Sequence, residues 1–391
     1  MAVHSPFPSV AIPIQDIVSF FFGLAQARLD KINGEDYPLL IDGSTGKSYN
    51  FVDIKQMSTA IAHGLKHRVF INEQSKHQSP DVDIDGGAMM FSPADIGMSA
   101  IHYGTLMAGG TFAPIDTNLD AQSLSNRLEC LNASAAFVTA ELLPTLLSAC
   151  NLAGVSINES RIFITQGDIP GYTSLAGFID EHKNLCVEPL IFLMSEQELA
   201  RKVALISYSS GTTGNFKGIM LTHCNIVTAY VLLYHPLISG LRLVQLSEFN
   251  PASYLAAIDK FEVDRLYVTL WIIQGLVDGS SRFEDGTLTI SSDPERKFIT
   301  ESVRTIVCAG TSILPTRLKK FMTYFSRATV FNGYGATETS FIVASCKWKE
   351  PAPSTPLSLY PDTFATVVDE DGNETNGYGE LCILGPRVMV G

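Results

Sequence analysis

The stretch that decides the fold is Ser207-Tyr208-Ser209-Ser210-Gly211-Thr212-Thr213-Gly214-Asn215-Phe216-Lys217-Gly218. Before it, residues 203–206 form a short apolar run that is typical of a strand. Hydroxyl groups and the backbone N–H groups that glycine leaves accessible suit a polyphosphate, and one lysine adds a mobile positive charge. The spacing differs from the common P-loop, because no Gly-Lys-Ser/Thr follows four residues after a glycine. Taken alone, the stretch fits a phosphate-binding loop and a polar surface turn about equally well.

A second motif, Asn332-Gly333-Tyr334-Gly335-Ala336-Thr337-Glu338-Thr339, lies downstream. With both motifs in this order, the chain resembles the AMP-forming acyl-activating superfamily of acyl-CoA synthetases, 4-coumarate–CoA ligases, beetle luciferases and peptide-synthetase adenylation domains. The resemblance runs from about residue 35 to Gly391 and is strongest to the 4-coumarate–CoA ligase-like branch. It implies a leader and helix at 1–34, followed by the AMP-binding N-terminal domain at 35–391 without the C-terminal catalytic subdomain.

The resemblance also implies roles for individual residues. The phosphates of ATP would be held by Ser209, Ser210, Gly211, Thr212, Thr213, Gly214 and Lys217. The AMP half would be lined by Gly310, Thr311, Ser312, Gly333, Tyr334, Gly335 and Thr337, with Tyr334 on adenine and Thr337 on the α-phosphate. Glu338 would bind Mg²⁺, which takes one or two carboxylates and keeps several waters. Lys217, Thr337 and Glu338 are thus the expected catalytic residues, and coenzyme A is the expected co-substrate.

Each assignment has a simpler structural alternative. Lys217 fits a solvated surface lysine, Tyr334 a core aromatic residue and Glu338 a surface charge. Residues 310–312 fit an ordinary loop between a strand and a helix, and we interpret both His223 and His235 as structural.

Composition limits the class of protein. The 391 residues are 46% hydrophobic and 17% charged, which favours two or three packed lobes over disorder. The net charge of −13 argues against nucleic acid or an anionic membrane as the main partner. Seven scattered cysteines without CxxC spacing favour free thiols in a reducing compartment. The N-terminus lacks the basic region of a signal peptide, so we expect a cytoplasmic protein; a peroxisomal address is compatible with a full-length relative.

The alternation of strands and helices predicts an α/β fold of stacked lobes with mostly parallel sheets and a small C-terminal β region. Residues 1–14 are expected to be a loose leader and 71–87 a polar surface loop. Helices are predicted at 16–32, 123–131, 232–240 and 251–261. Two more helices are predicted to begin at Asp53 and within residues 92–95. Strands are predicted at 39–42, 47–50, 88–91, 111–115, 135–139, 203–206, 263–270 and 303–308, with a hairpin at 365–384.

Two departures from the family pattern bear on activity. The stretch between His223 and Leu243 is too short for the strand and the aromatic/His loop that the family normally carries there. The chain ends at Gly391, where family members continue into a ribose-binding Asp, a hinge and a small domain with a catalytic Lys. Removing one charged group aimed at a transition state typically costs a few kcal/mol, so we expect impaired turnover.

Three hypotheses follow for function. The first is an acid–CoA ligase of secondary metabolism or of fatty or aryl acids, which would form acyl-AMP and then acyl-CoA. The second is an adenylation module that loads a carrier protein. The third is a catalytically inactive nucleotide-binding remnant. A small-molecule carboxylic acid is the expected partner, and the sequence does not reveal its identity or the oligomeric state.

Overall fold

A computed structural model describes residues 2–32, 34, 36–70, 77–78, 82–131, 133–185, 194–209, 217–232, 242–284, 287–290, 293–310, 314–348 and 357–390. The helices are α1 (Ile17–Ile32), α2 (Phe51–Gly64), α3 (Met98–Met107), α4 (Ala121–Leu131), α5 (Leu143–Ala153), α6 (Leu175–His182), α7 (Glu196–Arg201), α8 (His223–Leu232), α9 (Pro251–Phe261), α10 (Leu270–Gly279) and α11 (Pro315–Tyr324). A π-helical turn at Leu65–Val69 continues α2, and 3-10 turns lie at Glu159–Arg161, Lys183–Leu185 and Thr337–Thr339.

The strands are β1 (Val3–His4), β2 (Leu40–Asp42), β3 (Ser48–Tyr49), β4 (His77–Gln78), β5 (Asp83–Ile84), β6 (Gly87–Phe91), β7 (Thr111–Pro114), β8 (Ala133–Val138), β9 (Ile162–Ile164), β10 (Thr173–Ser174), β11 (Val203–Ser209), β12 (Lys217–Thr222), β13 (Leu243–Gln245), β14 (Arg265–Val268), β15 (Ser280–Glu284), β16 (Thr287–Ile290), β17 (Asp293–Ile299), β18 (Thr305–Cys308), β19 (Thr329–Ala336), β20 (Phe341–Trp348), β21 (Ser358–Leu359), β22 (Phe364–Val368) and β23 (Glu380–Leu384). The chain divides into two compact units. Unit 1 comprises 1–11, 40–48 and 243–388, and unit 2 comprises 12–39, 49–242 and 389–391.

Unit 2 is built on a seven-stranded sheet in the order β10-β9-β8-β6-β7-β11-β12. All its pairs are parallel except β11 with β12. Every residue of β6 and β8 is buried, as expected for strands of a parallel sheet with both faces covered. Apolar side chains such as Met89, Phe91 and Val138 form the core against α4 and α5.

Unit 1 is built on a five-stranded sheet in the order β14-β18-β19-β20-β21. The first three strands are parallel, and β20 and β21 add antiparallel pairs. Its core contains Leu266, Ile306 and Phe321, from the strands and from α11. Three smaller sheets also lie mainly in this unit, in the orders β1-β22-β23, β13-β2-β3 and β15-β16-β17.

The predicted α/β class with mostly parallel sheets is confirmed, as are most individual elements. Helix α9 occupies the predicted residues because the Asn250 side chain accepts the N–H groups of Ala252 and Ser253, and Pro251 is its first residue. The predicted C-terminal hairpin is present as β22 and β23. No helix in the described ranges is long and apolar enough to cross a membrane.

Four local predictions are wrong. The leader predicted to be loose at 1–14 is attached to unit 1, because Val3 and His4 pair with Ala365 and Phe364 of β22. Helix α2 begins two residues early, at Phe51, because Asn50 caps it. The Asp95 carboxylate accepts the Gly97 N–H (2.7 Å) in a turn, so α3 starts only at Met98.

The fourth concerns 71–87, where the described residues include the strand pair β4–β5 and buried Val82 instead of a surface loop. The predicted helix at 232–240 lies outside the described residues, apart from Leu232, which ends α8.

Candidate functional site

The two ends of the first motif lie on the paired strands β11 and β12 of unit 2. Strands β11 and β12 pair antiparallel, and Ser209 lies directly opposite Lys217 at the open end of the ladder. Lys217 is exposed, which suits contact with a charged ligand, and Ser209 is half-buried. The structure thus brings the two ends of the motif together. Its central residues Ser210, Gly211, Thr212, Thr213 and Gly214 lie outside the described residues.

A buried arginine contacts β11, the strand that carries Ser209. The Tyr208 hydroxyl donates to the Arg127 carbonyl oxygen (3.0 Å), and the Arg127 guanidinium lies over the Tyr208 ring at 5.5 Å. Arg127 belongs to α4 and also donates to the Ser123 carbonyl oxygen. Because Tyr208 immediately precedes Ser209, these contacts help to fix the position of Ser209, the first residue of the motif that is predicted to contact phosphate.

The second motif lies on β19, the central strand of the five-stranded sheet of unit 1, at the edge formed by the carboxyl ends of the parallel strands. Cys308 pairs with Asn332, so Gly310 and the residues from Gly333 onward continue past the carboxyl ends of neighbouring parallel strands. Ligands of open α/β sheets bind at this edge. Gly310 has φ +101°, a conformation that favours glycine, and it is exposed. Thr311 and Ser312, predicted to act beside it, lie outside the described residues.

Tyr334 is presented to solvent at this edge. Its side chain is 45% exposed, which excludes the alternative of a core aromatic residue. A β-bulge separates the pairs Tyr334–Ala344 and Gly335–Ile342, leaving Val343 as the extra residue of β20. Bulges commonly re-aim side chains next to binding sites.

Thr337 and Glu338 occupy the short 3-10 turn after β19. The Ala336 N–H donates to the Thr339 hydroxyl oxygen (3.0 Å), which also lies 3.0 Å from the carbonyl oxygens of Ala336 and Phe341. This hydroxyl therefore closes the turn, and Glu338 is half-buried within it.

A single half-buried carboxylate is a donor of the type that Mg²⁺ accepts when phosphate and water complete its shell. In the described part of the chain, no group of three or more His, Cys, Asp and Glu side chains is placed to hold a metal. Glu338 thus suits a magnesium ion that is also bound by a nucleotide. The described residues do not provide a site made of protein ligands alone.

The predicted residues therefore fall into two sets. Gly310, Gly333, Tyr334, Gly335, Thr337 and Glu338 share one sheet edge of unit 1, whereas Ser209 and Lys217 share one hairpin of unit 2.

His223, which we interpreted as structural, belongs to neither set. His223 is buried in unit 2, where its Nδ1 atom accepts the Ile17 N–H (3.3 Å) and burial lowers its pKa to about 3. His235 lies outside the described residues.

Sequence reasoning missed the residues that shape the turn after Glu338. Ser340 (φ +49°) and Phe341 (φ +81°) are both left-handed without being glycine. Thr339, three residues after Ala336, carries a recognisable local signal, because threonine hydroxyls often bond to nearby backbone groups in this way. Arg387, which contacts this turn from far along the chain, carries none.

Comparison with known protein families gives a match whose two segments span both motifs. The family described as AMP-binding enzyme matches residues 31–235 and 228–391. A Dictyostelium discoideum protein described as a probable 4-coumarate–CoA ligase is 24% identical over 439 residues, covering 99% of this chain and 72% of the relative. That alignment is longer than the 391 residues of this chain, so the relative contains residues within the aligned region that this chain lacks.

Two solved structures share the fold over nearly the whole chain. The luciferase-like enzyme of the mealworm Zophobas morio has a TM-score of 0.77 at 19% identity, covering all of this chain and 90% of that one. A long-chain-fatty-acid–CoA ligase of Archaeoglobus fulgidus has a TM-score of 0.76 at 20% identity, covering 98% and 78%. Since the family match covers far more than half of the sequence, the chain belongs to the AMP-binding enzyme family.

Proposed function

We propose that the chain activates a carboxylic acid with Mg·ATP, forming an acyl adenylate that coenzyme A then converts to a thioester. The observation that carries this proposal is the placement of Tyr334, Thr337 and Glu338 together beyond the carboxyl ends of parallel strands. Family membership and the acid–CoA ligases among the similar proteins support it.

Each side chain has a role that its position suits. The exposed Tyr334 ring would stack on adenine, and the Thr337 hydroxyl would donate to an oxygen of the α-phosphate. Glu338 would hold Mg²⁺, which neutralises phosphate charge when bound. Ser209 and Lys217 would contact the β- and γ-phosphates, together with 210–214. Local groups must supply this attraction, because the net charge of −13 repels ATP at long range.

The reaction would have two steps. In the first, a carboxylate oxygen attacks the α-phosphorus of ATP, the bond from that phosphorus to its bridging oxygen breaks, and pyrophosphate leaves with the electron pair. In the second, the coenzyme A thiolate attacks the acyl carbon and AMP leaves with the C–O electrons. The residues described here would mainly position the reactants and balance charge during the first step.

A second candidate is a nucleotide-binding protein without ligase turnover. It is favoured by the residues that the Dictyostelium relative has and this chain lacks. The family match also breaks into two segments that overlap at 228–235, inside the stretch predicted to be short. The two candidates differ in catalysis and not in nucleotide binding, so the experiment measures both.

Binding is tested by calorimetric titration of ATP with magnesium and with EDTA. Glu338→Gln should weaken Mg·ATP binding by at least about tenfold, since losing even a supporting partner of a metal ligand costs that much, and should leave magnesium-free binding unchanged. Glu370→Gln is the matched control, because Glu370 is an exposed glutamate of the same unit. Equal Mg·ATP affinity in the wild type and Glu338→Gln would contradict the assignment of the metal ligand.

Catalysis is tested by ATP–pyrophosphate exchange with a panel of aryl and fatty acids, followed by thioester formation with coenzyme A. Exchange that depends on an added acid supports the ligase. Mg·ATP binding without exchange for any acid of the panel supports the second candidate. The panel covers both classes because a pocket discriminates acids by few contacts.

A further inference from the structure

The turn that carries Thr337 and Glu338 leads directly into a strained backbone. Ser340 and Phe341 are consecutive left-handed residues, and neither is glycine. Such conformations are unfavourable for residues with a Cβ and persist only where surrounding contacts enforce them. Phe341 is 46% exposed, so burial of its ring does not explain the conformation.

Arg387, near the C-terminal end of unit 1 in sequence, contacts this backbone directly. The Ser340 hydroxyl donates to the Arg387 carbonyl oxygen (2.7 Å), and the Arg387 guanidinium donates to the Ile342 carbonyl oxygen (2.9 Å). The residue therefore contacts the chain on both sides of Phe341. A second guanidinium nitrogen donates to the Thr363 hydroxyl, which ties the turn to the start of β22.

Burying the charged guanidinium of Arg387 costs free energy, which hydrogen bonds and nearby groups must offset. Arg387 is 1% exposed, and its guanidinium lies 5.4 Å from the centre of the Tyr360 ring. Burial lowers its pKa to about 10, and the nearby Tyr360 and Asp362 oppose that shift. A buried cation stabilises a fold only when its donors are hydrogen-bonded. Here one donor binds the Ile342 carbonyl oxygen beside the turn, and another binds the Thr363 hydroxyl before β22.

We infer that Arg387 is a positioning residue that keeps Thr337 and Glu338 in the geometry that binds Mg·ATP. Its guanidinium acts through the Ile342 carbonyl oxygen, and its main-chain carbonyl oxygen acts through the Ser340 hydroxyl. That the ligand is Mg·ATP rests on the proposed function. That Arg387 stabilises the turn rests only on its hydrogen bonds. Lysine cannot replace it, because one ammonium group lacks the planar fork that reaches two separated oxygens.

The first test is hydrogen–deuterium exchange, which needs no ligand. The Ser340 N–H donates to the Thr337 carbonyl oxygen (3.1 Å), so its protection reports closure of the turn. Arg387→Met and Arg387→Lys should increase exchange at 337–342 by about tenfold, while α11 stays protected. Ser340→Ala, a milder change, should give a smaller increase at the same residues. Unchanged exchange in all three variants would overturn the inference.

The second test is the ratio of ATP affinities with magnesium and with EDTA. Arg387→Met should reduce this ratio by about tenfold, the lower end of the loss caused by removing a group that orients a metal ligand. The control is Leu318→Ala in the core of unit 1, which lowers stability without touching the turn and should preserve the ratio. A preserved ratio in Arg387→Met, with the wild type binding Mg·ATP, would overturn only this inference. A wild type that does not bind Mg·ATP would instead overturn the proposed function.

Discussion

Replacing Gly335 by alanine gives the sharpest test of the site geometry. A Cβ atom at this position would lie 1.8 Å from the Phe341 carbonyl oxygen and 2.6 Å from its carbonyl carbon. Both are backbone atoms, so no rotation of a side chain can relieve the collision. The glycine is therefore required by the close approach of the strained backbone at Phe341 to β19.

The expected cost follows from the displacement that alanine imposes. A carbon and a carbonyl oxygen in contact are about 3.3 Å apart, so the turn must open by roughly 1.5 Å. That movement separates the Phe341 carbonyl oxygen from the Thr339 hydroxyl and disturbs the pairing of Gly335 with Ile342. Overpacking costs about 1–3 kcal/mol and a lost hydrogen bond about 1 kcal/mol, so we expect a loss of about 3 kcal/mol.

Two other glycines of unit 1 complete a graded series. Alanine at Gly333 would meet the Ile342 Cδ1 atom at 2.7 Å, the end of a flexible side chain, and should cost about 1 kcal/mol. Alanine at Gly377 would meet the Thr375 hydroxyl at an ordinary 3.4 Å and should change stability by less than about 0.5 kcal/mol.

Urea unfolding followed by tryptophan emission measures this series. Both tryptophans, Trp271 and Trp348, belong to unit 1, so the signal reports the unit that carries the substitutions. Gly335→Ala should also weaken Mg·ATP binding, because the opened turn displaces Thr337 and Glu338. If Gly335→Ala unfolds at the same urea concentration as Gly377→Ala, the close approach of Phe341 to Gly335 is wrong.

Three more outcomes are expected. Burial lowers the pKa of His223 to about 3, so the residue stays neutral in the folded protein. Its contribution to the free energy of unfolding is fully present above the unfolded pKa of 6.5 and decreases by about 1 kcal/mol per pH unit below about pH 6. Urea unfolding followed by circular dichroism should show this slope in the wild type, and an equal slope in His223→Gln would contradict it. Asn50→Ala removes the capping box with Asp53 and should cost about 1 kcal/mol by the same assay, whereas Asn50→Asp should keep most of it. Burial raises the pKa of the Cys308 thiol to about 12, so iodoacetamide should leave it unmodified until urea is added, and native-state labelling seen by mass spectrometry would show that the thiol is accessible.

Local sequence signals predicted much of the fold because the relevant physics is local. Asn250 and Pro251 define the start of α9 by capping and by a fixed backbone angle, and the structure begins the helix there. The apolar run at 203–206 predicted β11 correctly, although the strand continues to Ser209. The hairpin at β22 and β23 followed from its turn residues.

Two of the misses involve partners that are distant in sequence. Val3 becomes a strand residue only because Ala365 offers a free edge, and nothing near Val3 indicates that pairing. The meander β15–β16–β17 was missed for a different reason: its partners are neighbours in sequence, but only the four residues of β16 alternate clearly between polar and apolar. Arg387 reads as one more charged residue near the end of the chain until the structure places it beside Ser340.

The spacing of glycines in the second motif has a physical explanation that the sequence did not offer. Successive residues of a strand face opposite sides, so Gly333 and Gly335 face one side of β19 and Tyr334 the other. On the glycine side, Ile342 and the Phe341 carbonyl oxygen occupy the space that side chains would need. On the other side, Tyr334 stays exposed. The glycines are thus demanded by the tight return of β20, and that same return places Thr337 and Glu338 immediately beyond the tyrosine. Packing on one face of the strand and the proposed contact with ATP on the other therefore require the same few residues in the same order.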